Sequence, residues 1–269
     1  VSESFDNLLI SEARTITQAA REAGVRLRLL GALAIYLHSA DWKSLAERLN
    51  RLGNAMARFT DLDFAAYGNE RHKVRTLLED GFGLRANAQA LLFHGKERLL
   101  YHHPTKGYHV DVFFDRLRFS HTIELGRPGR GRLDMDFPTL SPADLLLSKL
   151  QIHRFTDKDA KDVILLLRAH PIRMGEEGDV VNVARVVEPL SEDWGFWKDA
   201  TTNLARVREE IDRLTDGGVL APADAKDVHG KVTALLKAID TVPKSRSWRK
   251  GQHRLADGRW WDDVEDVVR

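Results

Sequence analysis

Asp61 and Asp63 stand two apart in Arg58-Phe-Thr-Asp-Leu-Asp-Phe64, and Asp111 stands in Tyr108-His-Val-Asp-Val-Phe-Phe114 among apolar and aromatic neighbours. If both runs are strands, a period of two puts Asp61 and Asp63 on one face of a sheet. A carboxylate inside a strand such as 108–114 is costly unless it is ionised against a cation or hydrogen-bonded. Three carboxylates brought together by neighbouring strands repel one another, and a divalent cation resolves the repulsion. Mg²⁺ or Mn²⁺ suits an all-oxygen ligand set and usually arrives with substrate phosphates. Two such ions can activate an attacking oxygen and stabilise a leaving pyrophosphate. Taken alone, Asp-x-Asp at a strand start is most often an ordinary solvated turn or cap.

Other chemistries are excluded by composition and motif. The 269 residues contain no cysteine, which removes disulfides, thiol nucleophiles, cysteine-ligated zinc and iron–sulfur clusters. The 11 histidines show no His-Glu-x-x-His spacing, so a zinc hydrolase is unsupported. There is no P-loop and no Gly-x-Ser-x-Gly elbow. Lys and Arg number 41 against 40 Asp and Glu, which excludes a uniformly basic coat while allowing local basic patches. No apolar run is long enough for a membrane span, and Val1-Ser-Glu-Ser lacks the pattern of a signal peptide, so a cytoplasmic location is expected.

The elements that must position the carboxylates follow from periodicity. Phe5 to Gly24 reads as an amphipathic helix, and Val25–Leu30 as a strand running into Gly31 and a short helix over Ala32–His38. Trp42–Leu52 predicts a helix and Leu62–Tyr67 a strand, with Asn69 capping a helix to Asp80. Leu91–His94 and Glu97–His102 flank Gly95-Lys96 and predict a hairpin. Strands are expected over Tyr108–Phe114 and Arg118–Leu125, then a glycine-rich loop over Gly126–Arg132. Ser141-Pro142-Ala143-Asp144 is a helix start. Helices are expected over 142–154, 157–169, 179–190, 193–214 and 222–241. The fold class is therefore α+β: a mixed sheet with flanking helices over 1–140 and a helical region over 141–269.

These residues carry a resemblance. Leu29-Leu-Gly-Ala-Leu-Ala-Ile-Tyr-Leu-His38, Arg58-Phe-Thr-Asp-Leu-Asp-Phe64 and His109-Val-Asp-Val-Phe113 resemble the core of the polymerase-β-type nucleotidyltransferase superfamily. The nearest branch is that of the AbiEii-like and MenT-like toxins of bacterial toxin–antitoxin pairs. Ser148-Lys149 and Lys158-Asp159-Ala-Lys-Asp162 match the lysine and Lys/Arg-Asp-x-x-Asp helix often found downstream in that branch. The resemblance implies a nucleotidyltransferase-like fold and transfer of a nucleoside monophosphate from an NTP to an acceptor hydroxyl. It assigns Asp61, Asp63 and Asp111 to metal binding, with Asp111 also near the acceptor hydroxyl. Gly31, Ala32 and Thr60 would border the nucleotide, Lys149 would neutralise the triphosphate, and Asp162 would be a further catalytic carboxylate. The junction reads Gly31-Ala32 where such proteins usually have Gly-Gly or Gly-Ser, which leaves backbone N–H groups in place of a serine hydroxyl. By the same resemblance the acceptor is a tRNA 3′ end and the partner a cognate antitoxin.

Two basic stretches bear on the acceptor. Arg116–Arg132 holds five arginines against Glu124, and Lys244–Arg254 holds five Lys or Arg around Trp248. Basic residues interleaved with an aromatic can follow a single-stranded backbone and stack a base; each stretch is equally a solvated loop. Trp260-Trp261 is expected to anchor the tail on the helical region. A small-molecule or protein acceptor, and a catalytically inactive binding module of the same fold, remain the alternatives.

Overall fold

The strand-to-helix junction at Gly31 sets the geometry of the N-terminal half. In the computed structural model, which describes residues 2–53, 58–255 and 258–263, β1 (Arg28–Leu30) passes directly into α2 (Gly31–His38), after the long helix α1 (Ser2–Glu22). Gly31 makes this turn at φ +76°, in the left-handed region that side chains rarely adopt. A short helix α3 (Lys43–Leu49) leads to β2 (Asp61–Ala66). Next come α4 (Arg71–Thr76), extended by a wider π turn over Leu77–Gly81, then β3 (Arg85–Ala86) and α5 (Ala88–His94). The strands β4 (Arg98–His102) and β5 (His109–Phe114) complete a five-stranded sheet in the order β1-β2-β5-β4-β3.

The sheet is mixed. β2 and β5 run parallel, while β1 lies antiparallel to β2 and β4 antiparallel to β5. Alternation gives β2 and β5 a wholly apolar face: Leu62, Phe64, Val110, Val112 and Phe114 are all buried. The opposite face receives Asp61, Asp63 and Asp111.

Three local expectations are corrected. The stretch 88–94 is a helix, not the first arm of a hairpin, and the Asn87 side chain caps it by accepting from the Ala90 N–H at 3.0 Å. The expected strand over Arg118–Leu125 is instead a small separate hairpin of β6 (Arg116–Arg118) and β7 (Thr122–Glu124). Asn69 also falls in a 3-10 turn over Gly68–Glu70 rather than at the helix cap, because Arg71 begins the helix proper.

The second half is helical, as the sequence predicts. α6 (Pro142–Leu150) is capped by Ser141, whose Oγ accepts from the Asp144 N–H at 3.3 Å. Every residue of α6 is buried, so it is a central helix and not an amphipathic surface one. α7 (Asp157–Ala169) follows, then β8 (Ile172–Arg173) and β9 (Val181–Asn182), a short parallel pair. α8 (Val183–Glu192), α9 (Trp194–Asp216), α10 (Pro222–Thr241) and α11 (Arg246–Leu255) complete the described elements. One continuous apolar core joins Leu9 and Ile16 to Leu146, Leu204 and Ile239. The Leu29 N–H donates to Pro138 O at 2.9 Å, and Leu29 O accepts from the Leu140 N–H at 2.9 Å. The change of element type near residue 140 is therefore no gap in packing. Among the described residues no helix is long and apolar enough to cross a membrane.

Candidate functional site

The three carboxylates reach one face through the register of two strands. Asp63 on β2 lies directly opposite Asp111 on β5, and Asp61 lies opposite His109. Partners across a ladder point to the same side, as do residues two apart, so Asp61, Asp63 and Asp111 share that side. On the other flank of β2, Leu30 pairs with Asp63. This brings the start of α2 against the carboxylates. A methyl group added at Gly31 would sit 2.8 Å from Asp63 Oδ2. The backbone thus approaches that oxygen more closely than any side chain permits.

Each carboxylate has its own surroundings. The Thr60 hydroxyl donates to Asp61 Oδ1 at 2.8 Å, so Thr60 supports Asp61. Asp111 is 4% exposed. Its two oxygens accept from Arg98 Nε on β4 at 2.9 and 2.8 Å, and Arg98 Nη2 adds a further contact to Oδ2. The guanidinium also lies over the Phe113 ring, 5.0 Å from its centroid. The sequence reading did not find Arg98. Its only signal is an arginine two positions beyond Lys96 in a run that becomes the neighbouring strand.

Lys149 and Asp162 come together, but the lysine does not present its charge to solvent. It is 7% exposed on α6, and Nζ pairs with Asp162 at 2.8 Å and Asp159 at 3.1 Å. Burial acts to lower the lysine pKa, but Asp162 and Asp159 reverse this and hold it above its ordinary value. Burial acts to raise the Asp159 pKa, but Lys149 and Thr156 bring it below the ordinary carboxylate value. Asp162 also accepts from Arg51 Nε at 2.9 Å. Lys149 is expected to neutralise a triphosphate as a point charge; here its charge is already matched by Asp159 and Asp162 inside the fold. Arg51, just beyond α3, is a cation that the sequence reading passed over.

Two small hollows lie in this half. One, on the carboxylate face, is lined by Asp61, Asn87, Tyr101, His109 and Asp111. The other is lined by Ala32, Tyr36, Arg51, Arg58, Lys161 and Asp162. Ala32 follows Gly31, so this second hollow opens beside the first turn of α2. No side chain caps that helix start, and its N–H groups have the polarity that suits an anion. Comparison of the chain with family models, with curated proteins and with solved structures finds no match. The chemistry of the site therefore rests on its own residues.

The tail and basic stretches divide. Trp260 Nε1 donates to Asp199 at 3.0 Å, and Trp261 stacks on His153 with ring centroids 3.6 Å apart, so both tryptophans anchor the tail. Trp248 is 8% exposed and packs edge-on against Trp197. It is not placed to stack a base, which corrects the single-strand reading of that aromatic. Arg132 is also drawn inward, where its Nε and Arg185 Nε each meet the fully buried Asp144 at 2.8 Å.

Proposed function

We propose that the chain is a metal-dependent nucleotidyltransferase that transfers a nucleoside monophosphate from an NTP to an acceptor hydroxyl and releases pyrophosphate. One observation carries the reading: a positive-φ glycine at a strand–helix junction lies against Asp63, on a face that also receives Asp61 and Asp111. Close backbone approach beside carboxylates that share one sheet face suits a polyphosphate with divalent cations.

The donor set fits Mg²⁺ in kind, because Asp61, Asp63 and Asp111 offer only hard oxygen ligands, but their oxygens do not all lie within 4.8 Å of one another, so the ion would have to draw them together. Bound there, the ion would lower the charge on the phosphates and favour the attacking oxygen over its hydroxyl. The chain's own residues do the rest. The N–H groups opening α2 receive phosphate oxygens, and Thr60 orients Asp61 through its hydroxyl. Lys161 lines the hollow beside α2 and adds positive charge, whereas Arg58, which also lines it, is paired with buried Asp6 at 3.1 Å. Asp111 lines the hollow on the other side, where it takes the proton of the acceptor hydroxyl once Arg98 releases it. The arginine-rich stretch holding Arg116, Arg118, Arg127 and Arg130 favours a polyanionic acceptor such as RNA, of which a tRNA 3′ end is one case. A toxin role with a cognate antitoxin is the biological form of this reading.

Arg98 favours a second reading, in which the arginine stands permanently where a cation would and the fold is a non-catalytic binding module. One experiment separates the two. The chain is incubated with Mg²⁺ and each α-labelled NTP in turn, with total RNA or with total protein. The expected result is label in RNA from one NTP, lost in Asp63→Asn and reduced about 10²–10⁴-fold in Asp111→Asn, with circular dichroism unchanged. Label in protein alone replaces the acceptor, and no label with no pyrophosphate release supports the binding module.

A further inference from the structure

We propose that His38, His170 and Asp179 form a binding site for a divalent transition metal of the zinc type, separate from the carboxylate face. The site is built at the far ends of two helices. His38 is the last residue of α2, and His170 follows the last residue of α7. Asp179 comes from the loop between β8 and β9. One ligand atom from each of the three lies within 4.8 Å of the others, and this is the one such group among the described residues.

The distances suit coordination. His38 Nδ1 is 3.1 Å from Asp179 Oδ1, and His170 Nδ1 is 3.2 Å from Asp179 Oδ2. Ligands held at about 2.0–2.1 Å in a tetrahedron stand only slightly farther apart than this. The two rings meet nearly at right angles, 4.9 Å between centroids, so neither blocks the other's nitrogen. On the opposite side of its ring, His38 Nε2 donates to Asp136 Oδ2 at 2.8 Å. A carboxylate on the outer nitrogen fixes the tautomer that leaves Nδ1 free to bind metal. His170 is 2% exposed, and its Nε2 meets no hydrogen-bond partner among the described residues. Its Nδ1 faces both the Asp179 carboxylate and Asp179 O, the latter at 3.3 Å, and a metal bond at Nδ1 would replace these two contacts.

Charge and access agree. Two neutral imidazoles with Asp179 and Asp136 balance a +2 ion. Two nitrogens and one oxygen suit Zn²⁺ over Mg²⁺, whose preference is for oxygen alone. His38, Asp136 and Asp179 line an open cleft of about 980 Å³ together with Arg14, Thr17 and Gln18, so an ion reaches the site from solvent and keeps a fourth position open to it. The ion would tie the β8–β9 loop to the C-terminal ends of α2 and α7.

The test is calorimetric titration of the full chain with ZnCl₂ and, separately, MgCl₂. The expected result is one saturable zinc site per chain, with no magnesium binding there. Asp179→Asn, on an exposed loop residue, and His38→Gln remove it. Asp136→Asn weakens it about 10-fold or more through the outer hydrogen bond. His72→Gln, at an exposed histidine of α4, leaves it unchanged. Circular dichroism of each metal-free variant confirms folding. Absence of saturable zinc binding in the intact chain overturns the proposal. So does zinc binding that Asp179→Asn and His38→Gln both leave intact.

Discussion

Gly31 combines two constraints in one residue, and each makes a separate demand on the side chain. Its φ of +76° disfavours any L side chain, and its position leaves 2.8 Å between a new methyl group and Asp63 Oδ2. Gly31→Ala is expected to lower stability by about 1–2 kcal/mol from the backbone conformation alone. It should also displace Asp63 or the start of α2, so NTP turnover falls further than the unfolding free energy explains. Urea unfolding and turnover measured on the same preparation check this; turnover that merely tracks the folded fraction removes Gly31 from the site. Asp61, Asp63 and Gly31 were legible from type and spacing, because period two and the αL preference of glycine are local rules. Arg98 was not, because its meeting with Asp111 depends on the register of β4 against β5.

At the scale of elements, α6 and α7 are joined by charge inside an apolar layer. Lys149 links them through Asp159 and Asp162, and Arg51 closes the cluster from the end of α3. Removing one partner of a buried pair leaves the other charge uncompensated, which costs about 3–5 kcal/mol. Lys149→Met is therefore expected to lower the unfolding free energy by that order, read from the shift in urea midpoint. A loss below about 1 kcal/mol would place the lysine at a solvated surface instead. The helices themselves were readable from the sequence: Asp157–Ala169 and Pro222–Thr241 agree with the periodicity to the residue. The 88–94 segment was misread because Gly95-Lys96 imitates a hairpin turn, whereas the Asn87 cap and the pairing of β4 with β5 decide the outcome.

At the scale of the whole molecule, the C-terminal tail is held to the helical region through Asp199. This buried carboxylate accepts from His121 Nε2 at 2.8 Å, from His153 Nδ1 at 3.0 Å and from Trp260 Nε1 at 3.0 Å. Burial acts to raise its pKa, but the hydrogen bonds from His121, Trp260 and His153 prevail and hold it below the ordinary 3.8. The sign follows from linkage. A carboxyl group with a folded pKa below its unfolded one stabilises the protein above the unfolded value, and this contribution is lost as pH falls through the folded value. The stability difference between the parent chain and Asp199→Asn should therefore be full near pH 5 and shrink steadily below 3.8. Urea midpoints across that range, read by the fluorescence of the six tryptophans together, test it; a difference that grows on acidification contradicts the assignment.

The sequence by itself determined the α+β class, most helix positions, the absence of thiol chemistry, and the placing of Asp61 and Asp63 on one strand face. These depend on residue type and on periods of two and 3.6, which neighbours along the chain settle among themselves. Only the tertiary structure decided that Asp63 faces Asp111, that Arg98 holds Asp111, and that the Lys149 charge is matched inside the fold. It alone brought His38, His170 and Asp179 within coordinating distance of one another. Those pairings join residues from about ten to more than a hundred positions apart, and strand register and helix packing, which no local pattern encodes, fix their distances.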